Sequence, residues 1–294
     1  MRLLQGDGRN MSYSDFCAKL DIVMMSNKEA INYILDLYDS YNSEKAREEL
    51  YRKGNDISEN IIALYYYFVF KNNPRIVYGK YKRKFINNES IVEPGVTPEE
   101  KKGLGEIYDY LSKYPLDNPI NICQEATIIH RLLYSHCPNS GYGVGLREAT
   151  AVLYDMPYEV PDARKAMQEF YSYACSNITY TEDQDIFEYI DNCVKLTTDL
   201  IGIQPFADGN KRTFRALLNL LLKQVNIPPI YIRKEEREPY KKGLIKALCE
   251  KDYTDICKFY HYKVSDAIVD LEVSVFDKLG RDEKRKILVP KKEK

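Results

Sequence analysis

Tryptophan is absent from this 294-residue sequence, histidine occurs only three times, and glycine and proline occur 14 and 13 times. So few of the last two excludes collagenous or flexible low-complexity architecture. The seven cysteines are scattered, odd in number and form no C-x-x-C pair. That argues against a disulfide framework or a zinc ribbon and for free, structural thiols in a reducing compartment. Excess charge is also missing: 43 Lys+Arg stand against 44 Asp+Glu, without the basic surplus of a dedicated nucleic-acid binder. The longest apolar run, Ile61 to Phe70, is ten residues with five aromatics, too short for a helix that spans a bilayer. The first ten residues, MRLLQGDGRN, lack the apolar core of a signal peptide, so a cytoplasmic location is expected, with delivery into a host cell as the alternative. With 44% hydrophobic and 30% charged residues in 34.4 kDa, the chain has the makings of a real core.

Apolar and charged residues recur mostly at spacings of three and four, so the chain reads as mainly helical. Helices are expected over about 15–70, broken by the polar Gly54–Asn60. Gly79–Lys84 (GKYKRK) reads as a solvated basic face. Asn87–Pro98 carries loop signals, and Thr97-Pro98-Glu99-Glu100 reads as a helix start running to about Lys113. Further helices are expected at 120–134, 162–175 and 183–203, the last with Ile186, Ile190, Cys193, Thr197 and Leu200 on one face. Ser135–Gly145 reads as a loop. Ala149–Pro161 reads as a small β-hairpin around Asp155-Met156-Pro157, and Ile230-Tyr231-Ile232 as strand-like, before helices over about 239–271. The implied division is a helical region at 1–85, a main domain at 86–270 and a charged tail at 271–294.

The informative stretch is Ile203–Arg215, IQPFADGNKRTFR. One helix ends near Ile203, Pro205 and Gly209 force a loop, and a new helix begins at Gly209 or Asn210 with Phe214, Leu217, Leu218, Leu221 and Val225 on its buried face. Asp208 sits where an N-cap would sit. Exposed N–H groups at a helix start form an anion site, and Lys211, Arg212 and Arg215 add three cations. An acid among them makes sense when Mg²⁺ bridges a carboxylate and phosphates, which suggests a nucleotide polyphosphate. The rival reading is structural: Asp208 caps the helix and pairs with Arg212.

The stretch Gln204–Arg215 resembles the signature of the Fic (Fido) family, His-x-Phe-x-Asp/Glu-Gly-Asn-Gly/Lys-Arg-x-x-Arg. Phe206, Asp208, Gly209, Asn210, Lys211, Arg212 and Arg215 match it. Gly145-Leu-Arg147 with the 149–161 segment resembles the family's flap. Ile129-His130-Arg131 and Ile227–Ile232 resemble flanking segments, and the likeness runs over about 94–262. It implies an all-α Fic fold with a small β-hairpin flap, and transfer of AMP from ATP to a hydroxyl of a target protein. Asp208 would hold Mg²⁺, Gly209, Asn210 and Lys211 would cradle phosphates, and Arg212 and Arg215 would neutralise the outer ones. Phe206 would anchor the loop, and the target would dock on the flap around Ala149–Pro161 as an added strand.

Two departures stand out. Where the family has its proton-accepting histidine, this chain has Gln204, an amide that hydrogen-bonds but is no base near pH 7. His130 is expected to be a packed structural residue. The chain is then an impaired adenylyltransferase, a nucleotide-binding module without turnover, an inactivated variant, or a Fic fold with another base or reaction. Lys211 alone suggests a Doc-like kinase. The second departure concerns control. The family's inhibitory helix, Ser/Thr-x-x-x-Glu-Gly/Asn, has no clean match: Ser40–Glu44 is followed by Lys45, and Tyr65–Asn73 offers no glutamate. Either no brake is needed or a separate antitoxin-like chain supplies the acid.

Overall fold

The computed structural model describes residues 81–276 apart from 94, 116–117, 138–144, 154–155, 182–183 and 226. The expected helices of 15–70, the two inhibitory-motif searches and most of the charged tail lie outside the described residues. Within them the chain is mainly helical. In order come α1 (Lys82–Val92), α2 (Pro98–Lys113), β1 (Ile120–Asn121), α3 (Ile122–Leu133), α4 (Ala163–Ser172), β2 (Asn177–Ile178), α5 (Ile186–Ile203), α6 (Asn210–Lys223), a 3₁₀ turn (Lys234–Glu236), α7 (Arg237–Glu250) and α8 (Thr254–Phe276).

Several starts follow from capping chemistry. Thr97 accepts from the N–H of Glu100 while the Glu100 carboxylate accepts from the N–H of Thr97, with Pro98 next in line. This reciprocal pair satisfies two donors that the first turn leaves open, and α2 ends at Lys113 as its pattern predicts. Asn121, Asp162 and Asp185 cap α3, α4 and α5 one way only, each side chain accepting from first-turn N–H groups.

The core is organised around α6. Every residue from Asn210 to Lys223 except Lys211 is buried, so no face of this helix meets solvent. It packs on α5, α3 and α2, while the α7–α8 pair lies against α5 and α1 lies along α2. The predicted stripe of α5 is buried throughout, from 0% exposure at Ile190 and Leu200 to 3% at Thr197. Lys223 at the end of α6 donates to the carbonyls of Leu111, Ser112 and Tyr114. It thereby satisfies the C-terminal carbonyls of α2 with a cation, the favourable sign for that end of a helix. The thiols of Cys123, Cys193 and Cys257 are buried, and burial pushes them up to about 11, 12 and 12, in keeping with inert structural cysteines.

Three local expectations need correction. Asn87–Val92 is helical, because Phe85, Glu89 and Val92 bury one face of α1; the loop begins only at Glu93. The described residues of 149–161 form neither strand nor ladder, although Met156 N–H closes a turn on Leu153 O (3.1 Å). The two-stranded antiparallel sheet lies elsewhere, pairing Ile120 with Ile178 and Asn121 with Asn177. Ile230-Tyr231-Ile232 is extended but forms no strand, because the Asn219 side chain takes the place of a neighbouring strand. Its Oδ1 accepts from Ile230 N–H (2.7 Å) and its Nδ2 donates to Ile230 O (3.0 Å).

Candidate functional site

The turn between α5 and α6 builds the site. Gln204 terminates α5 in the left-handed conformation (φ 51°, ψ 56°), a rare state for a side chain with a Cβ. The side chain of Phe206 then turns into the core, where its ring stacks on His130 with centroids 4.0 Å apart. Asn210 closes the loop: its Oδ1 accepts from Phe206 N–H (2.9 Å) and its Nδ2 donates to Phe206 O (2.7 Å) and Gln204 Oε1 (3.1 Å). The Asn210 side-chain amide is thus committed to the loop itself. Arg147 clamps the outside. Its guanidinium donates to the carbonyls of Gln204 (2.5 Å), Ala149 (2.8 Å) and Pro161, so one buried side chain joins both feet of the flap to the loop.

Gly209, not Asp208, is the N-cap of α6, and no side chain caps the helix. Its φ is +74°, and an added Cβ would lie 2.8 Å from Leu133 Cδ2 and 2.9 Å from the Tyr134 hydroxyl oxygen, so glycine is required on both counts. The N–H groups of the first turn have no helical acceptor, and Gly209, Asn210 and Lys211 line the cleft. Asp208 is the exposed acid of the loop, its side chain 56% accessible. It accepts from the Tyr134 hydroxyl (3.0 Å) and pairs loosely with Arg212 (3.6 Å), which keeps part of the structural alternative but not the cap.

The cleft has a volume of about 420 Å³ and is lined by the loop, by α7 and by flap residues Thr150–Leu153 and Met156. Its size falls within the range of small-molecule sites. The motif cations are clasped by acids. Arg212 donates to Glu100 (2.8 Å), whose other carboxylate oxygen caps α2. Lys211 pairs with Glu93 (2.7 Å). Arg215, only 3% exposed, donates through Nε to Glu89 (2.9 Å) and through Nη1 to Glu93 (2.9 Å), and its Nη2 lies 2.8 Å from the Glu89 carboxylate as an ion pair. Burial opposes charge on Glu93, but Arg215 and Lys211 prevail and hold its carboxyl below the usual range. Arg215 does not line the cleft; Glu93 does.

Sequence reasoning missed these acids. Glu89-Ser90-Ile91-Val92-Glu93 holds two glutamates four apart, but glutamate stands where the family pattern has Ser/Thr, and proline follows. The first position of the pattern was therefore unmatched and the residues read as a loop. Tyr134, Arg237 and Lys241 had no signal in the motif at all.

None of the three histidines lines the cleft. His130, 1% exposed, donates from Nε2 to the Asp208 carbonyl (3.0 Å), and burial pushes it down to about 4, so it is a neutral loop support. His136 lies beside Glu106 (3.3 Å) and His261 beside Asp191 (2.9 Å). Among the described residues no group of three His, Cys, Asp or Glu side chains could hold a metal on its own, and no helix is long and apolar enough to cross a membrane.

Residues 119–222 match the Fic/DOC family. Among curated proteins, the protein adenylyltransferase Fic of Nematostella vectensis is 28% identical over 163 residues, 55% of this chain and 36% of that protein. The Aedes aegypti protein of that name is 30% identical over 112 residues, 38% of this chain and 21% of that protein. The chain thus spans little more than a third of the first relative and less of the second. Among solved structures, Fic-1 of C. elegans has a TM-score of 0.47 at 17% identity, covering 88% of this chain and 76% of that one. The motif loop, its supporting helices and the match over 119–222 agree: this chain carries a Fic/Fido domain.

Proposed function

We propose that the cleft binds ATP with Mg²⁺ and that the domain is a Fic-type adenylyltransferase whose transfer to hydroxyls is impaired by Gln204. The observation that carries this reading is the left-handed Gly209 opening the uncapped start of α6 onto a 420 Å³ cleft beside the exposed Asp208. The names of the curated relatives support the reaction class. A single carboxylate suits Mg²⁺, which takes one or two protein carboxylates plus substrate phosphates. Asp208 would be that ligand, with Tyr134 steadying one of its oxygens. The ion would supply neutralisation of phosphate charge.

The α6 N–H groups and Arg212 would orient the phosphates. An acceptor hydroxyl oxygen would bond to the α-phosphorus as the bond from that phosphorus to its bridging oxygen breaks; pyrophosphate would carry away the electron pair, and the hydroxyl proton would pass to solvent, since Gln204 is no base. The extended flap, with Val152 62% exposed, would take a target segment as an added strand. Glu93 stands where the outermost phosphate would meet Arg215 and Lys211, so the brake lies within this chain rather than in a separate antitoxin-like partner. We place the domain's start at α1, which carries Glu89 and leads directly into Glu93, and leave 271–294 as a tail.

A second reading, nucleotide binding without turnover, is favoured by the neutral Gln204 and by the clasped cations. Calorimetry with Mg·ATP, and α-phosphate-labelled ATP added to a cell lysate with the chain and with Gln204→His, separate the two. Protein labelling by the His variant alone supports the transferase reading; binding without labelling supports the second. Absence of Mg·ATP binding sinks both, and labelling by the unaltered chain refutes the role given to Gln204.

A further inference from the structure

Among the described residues the cleft holds no group suited to taking a proton from an acceptor. Gln204 is neutral, and both ends of its amide are engaged, Nε2 with Ile201 O (2.7 Å) and Oε1 with Asn210 (3.1 Å). His130 faces the core and donates to a carbonyl. Tyr240 lines the cleft, but burial raises its phenol. Glu93 and Glu100 are held in ion pairs with Lys211, Arg215 and Arg212, and Asp208 is the carboxylate a metal would take. What α7 does bring to the cleft is positive charge. Arg237 and Lys241, one turn apart and half-buried, line it on either side of Tyr240 in sequence.

We propose that the acceptor for this site is an already ionised phosphate group, held by Arg237 and Lys241, rather than a protein hydroxyl. The proposal rests on the reading of the cleft as a Mg·ATP site and names the acceptor class for it. A hydroxyl must lose its proton as it attacks, and lack of a positioned base costs about 10²–10⁴ in rate. A phosphate monoester has a second pKa of about 6 and presents an anionic oxygen at neutral pH with no proton to remove. That oxygen forms a bond to the α-phosphorus of ATP, the bond from the α-phosphorus to its bridging oxygen breaks, and pyrophosphate carries away the electron pair. With such an acceptor Gln204 is no defect. Two cations are needed instead, to bring one anion up to another.

The test uses the full chain and its Glu89→Gln/Glu93→Gln form, which releases Arg215 and Lys211, with Mg·ATP and ³²P-labelled inorganic phosphate. Transfer writes the label into the β-position of ADP and yields unlabelled pyrophosphate. O-Phosphoserine with α-labelled ATP is the monoester probe. The expected result is labelled product from both probes in the released form. In addition, Arg237→Ala/Lys241→Ala introduced into that form should give at least tenfold less product while its ATP affinity by calorimetry stays within twofold. No product from either probe in chains that bind ATP overturns the proposal. So does an equal loss of ATP affinity in the α7 variant, which would assign those cations to the nucleotide. Failure of every form to bind ATP is a different result: it removes the Mg·ATP reading, and the acceptor with it.

Discussion

Removing Glu93 tests the arrangement of charges most directly. Its carboxylate accepts from Lys211 (2.7 Å) and Arg215 (2.9 Å), and hydrogen bonds between charged groups contribute about 1.5–3 kcal/mol each. A phosphate entering between those cations must displace both contacts before it can replace them, so Glu93 opposes the outermost phosphate by roughly 3–6 kcal/mol gross. The phosphate remakes part of this, leaving a net effect of about 1.4–3 kcal/mol, a factor of about 10 to 150 in Kd. Glu93→Ala should therefore bind Mg·ATP at least tenfold more tightly by calorimetry. ADP, which lacks that phosphate, should gain less. Glu89 limits the gain, since it still holds Arg215 through the Nε hydrogen bond (2.9 Å) and the Nη2 ion-pair contact (2.8 Å); Glu89→Gln/Glu93→Gln should bind more tightly than the single variant. Equal ATP affinity in wild type, single and double variants, all with cooperative melts, would refute the claim that these acids occupy phosphate space.

Other consequences follow from single side chains. His130 titrates at about 4 when folded against a reference of 6.5, so its burial as a neutral ring costs nothing above pH 6.5. As pH falls from 6.5 to 4 the unfolded chain gains the proton first, and stability drops by up to about 3 kcal/mol. His130→Gln should flatten that part of a denaturant-midpoint profile, and an unchanged slope contradicts the assignment. Arg147→Ala leaves the carbonyls of Gln204, Ala149 and Pro161 without their buried donor, for a loss of about 3–5 kcal/mol in urea melts. Asp208→Asn alters an exposed side chain, so the melting temperature should hold while the Mg²⁺ dependence of ATP binding disappears.

The legible parts of this molecule were those where local chemistry and tertiary environment agree. The α2 start is written in Thr97-Pro98-Glu99-Glu100 because its cap is a contact between near neighbours in sequence. The stripe of α5 is legible because burial follows helical period there, and the loop because Pro205 and Gly209 leave few conformations; α6 is buried on every face, so its apolar stripe marks only part of what it buries. The illegible parts depend on partners far away in sequence. Glu89 and Glu93 reach Arg215 across more than a hundred residues, and nothing local distinguishes them from solvated acids before a proline. The segment 230–232 has the composition of a strand, but its hydrogen-bond partner is the side chain of Asn219. Asp208 looked like a cap because Asp is a good one, but Gly209 takes the left-handed position and moves the helix start one residue on.

The loop can change its chemistry at position 204 because its shape is held by other residues. Phe206 is fixed by His130 and by the two-way bond with Asn210. The Gln204 backbone is fixed by Arg147 and by its own N–H on Leu200 O (3.3 Å). The Gln204 side chain adds one bond to Ile201 O and one to Asn210, and Asn210 keeps its bonds to Phe206 without it. Histidine tolerates the left-handed region better than most residues, and either ring nitrogen could serve the Ile201 carbonyl. Gln204→His should therefore shift stability by no more than about 1 kcal/mol, the net worth of one neutral hydrogen bond. A urea midpoint near wild type, with an unchanged slope, is the expected outcome. A loss of 3 kcal/mol or more would show that the glutamine amide is part of the loop's scaffold, and that a residue fitted for support rather than for proton transfer stands where the family pattern has its histidine.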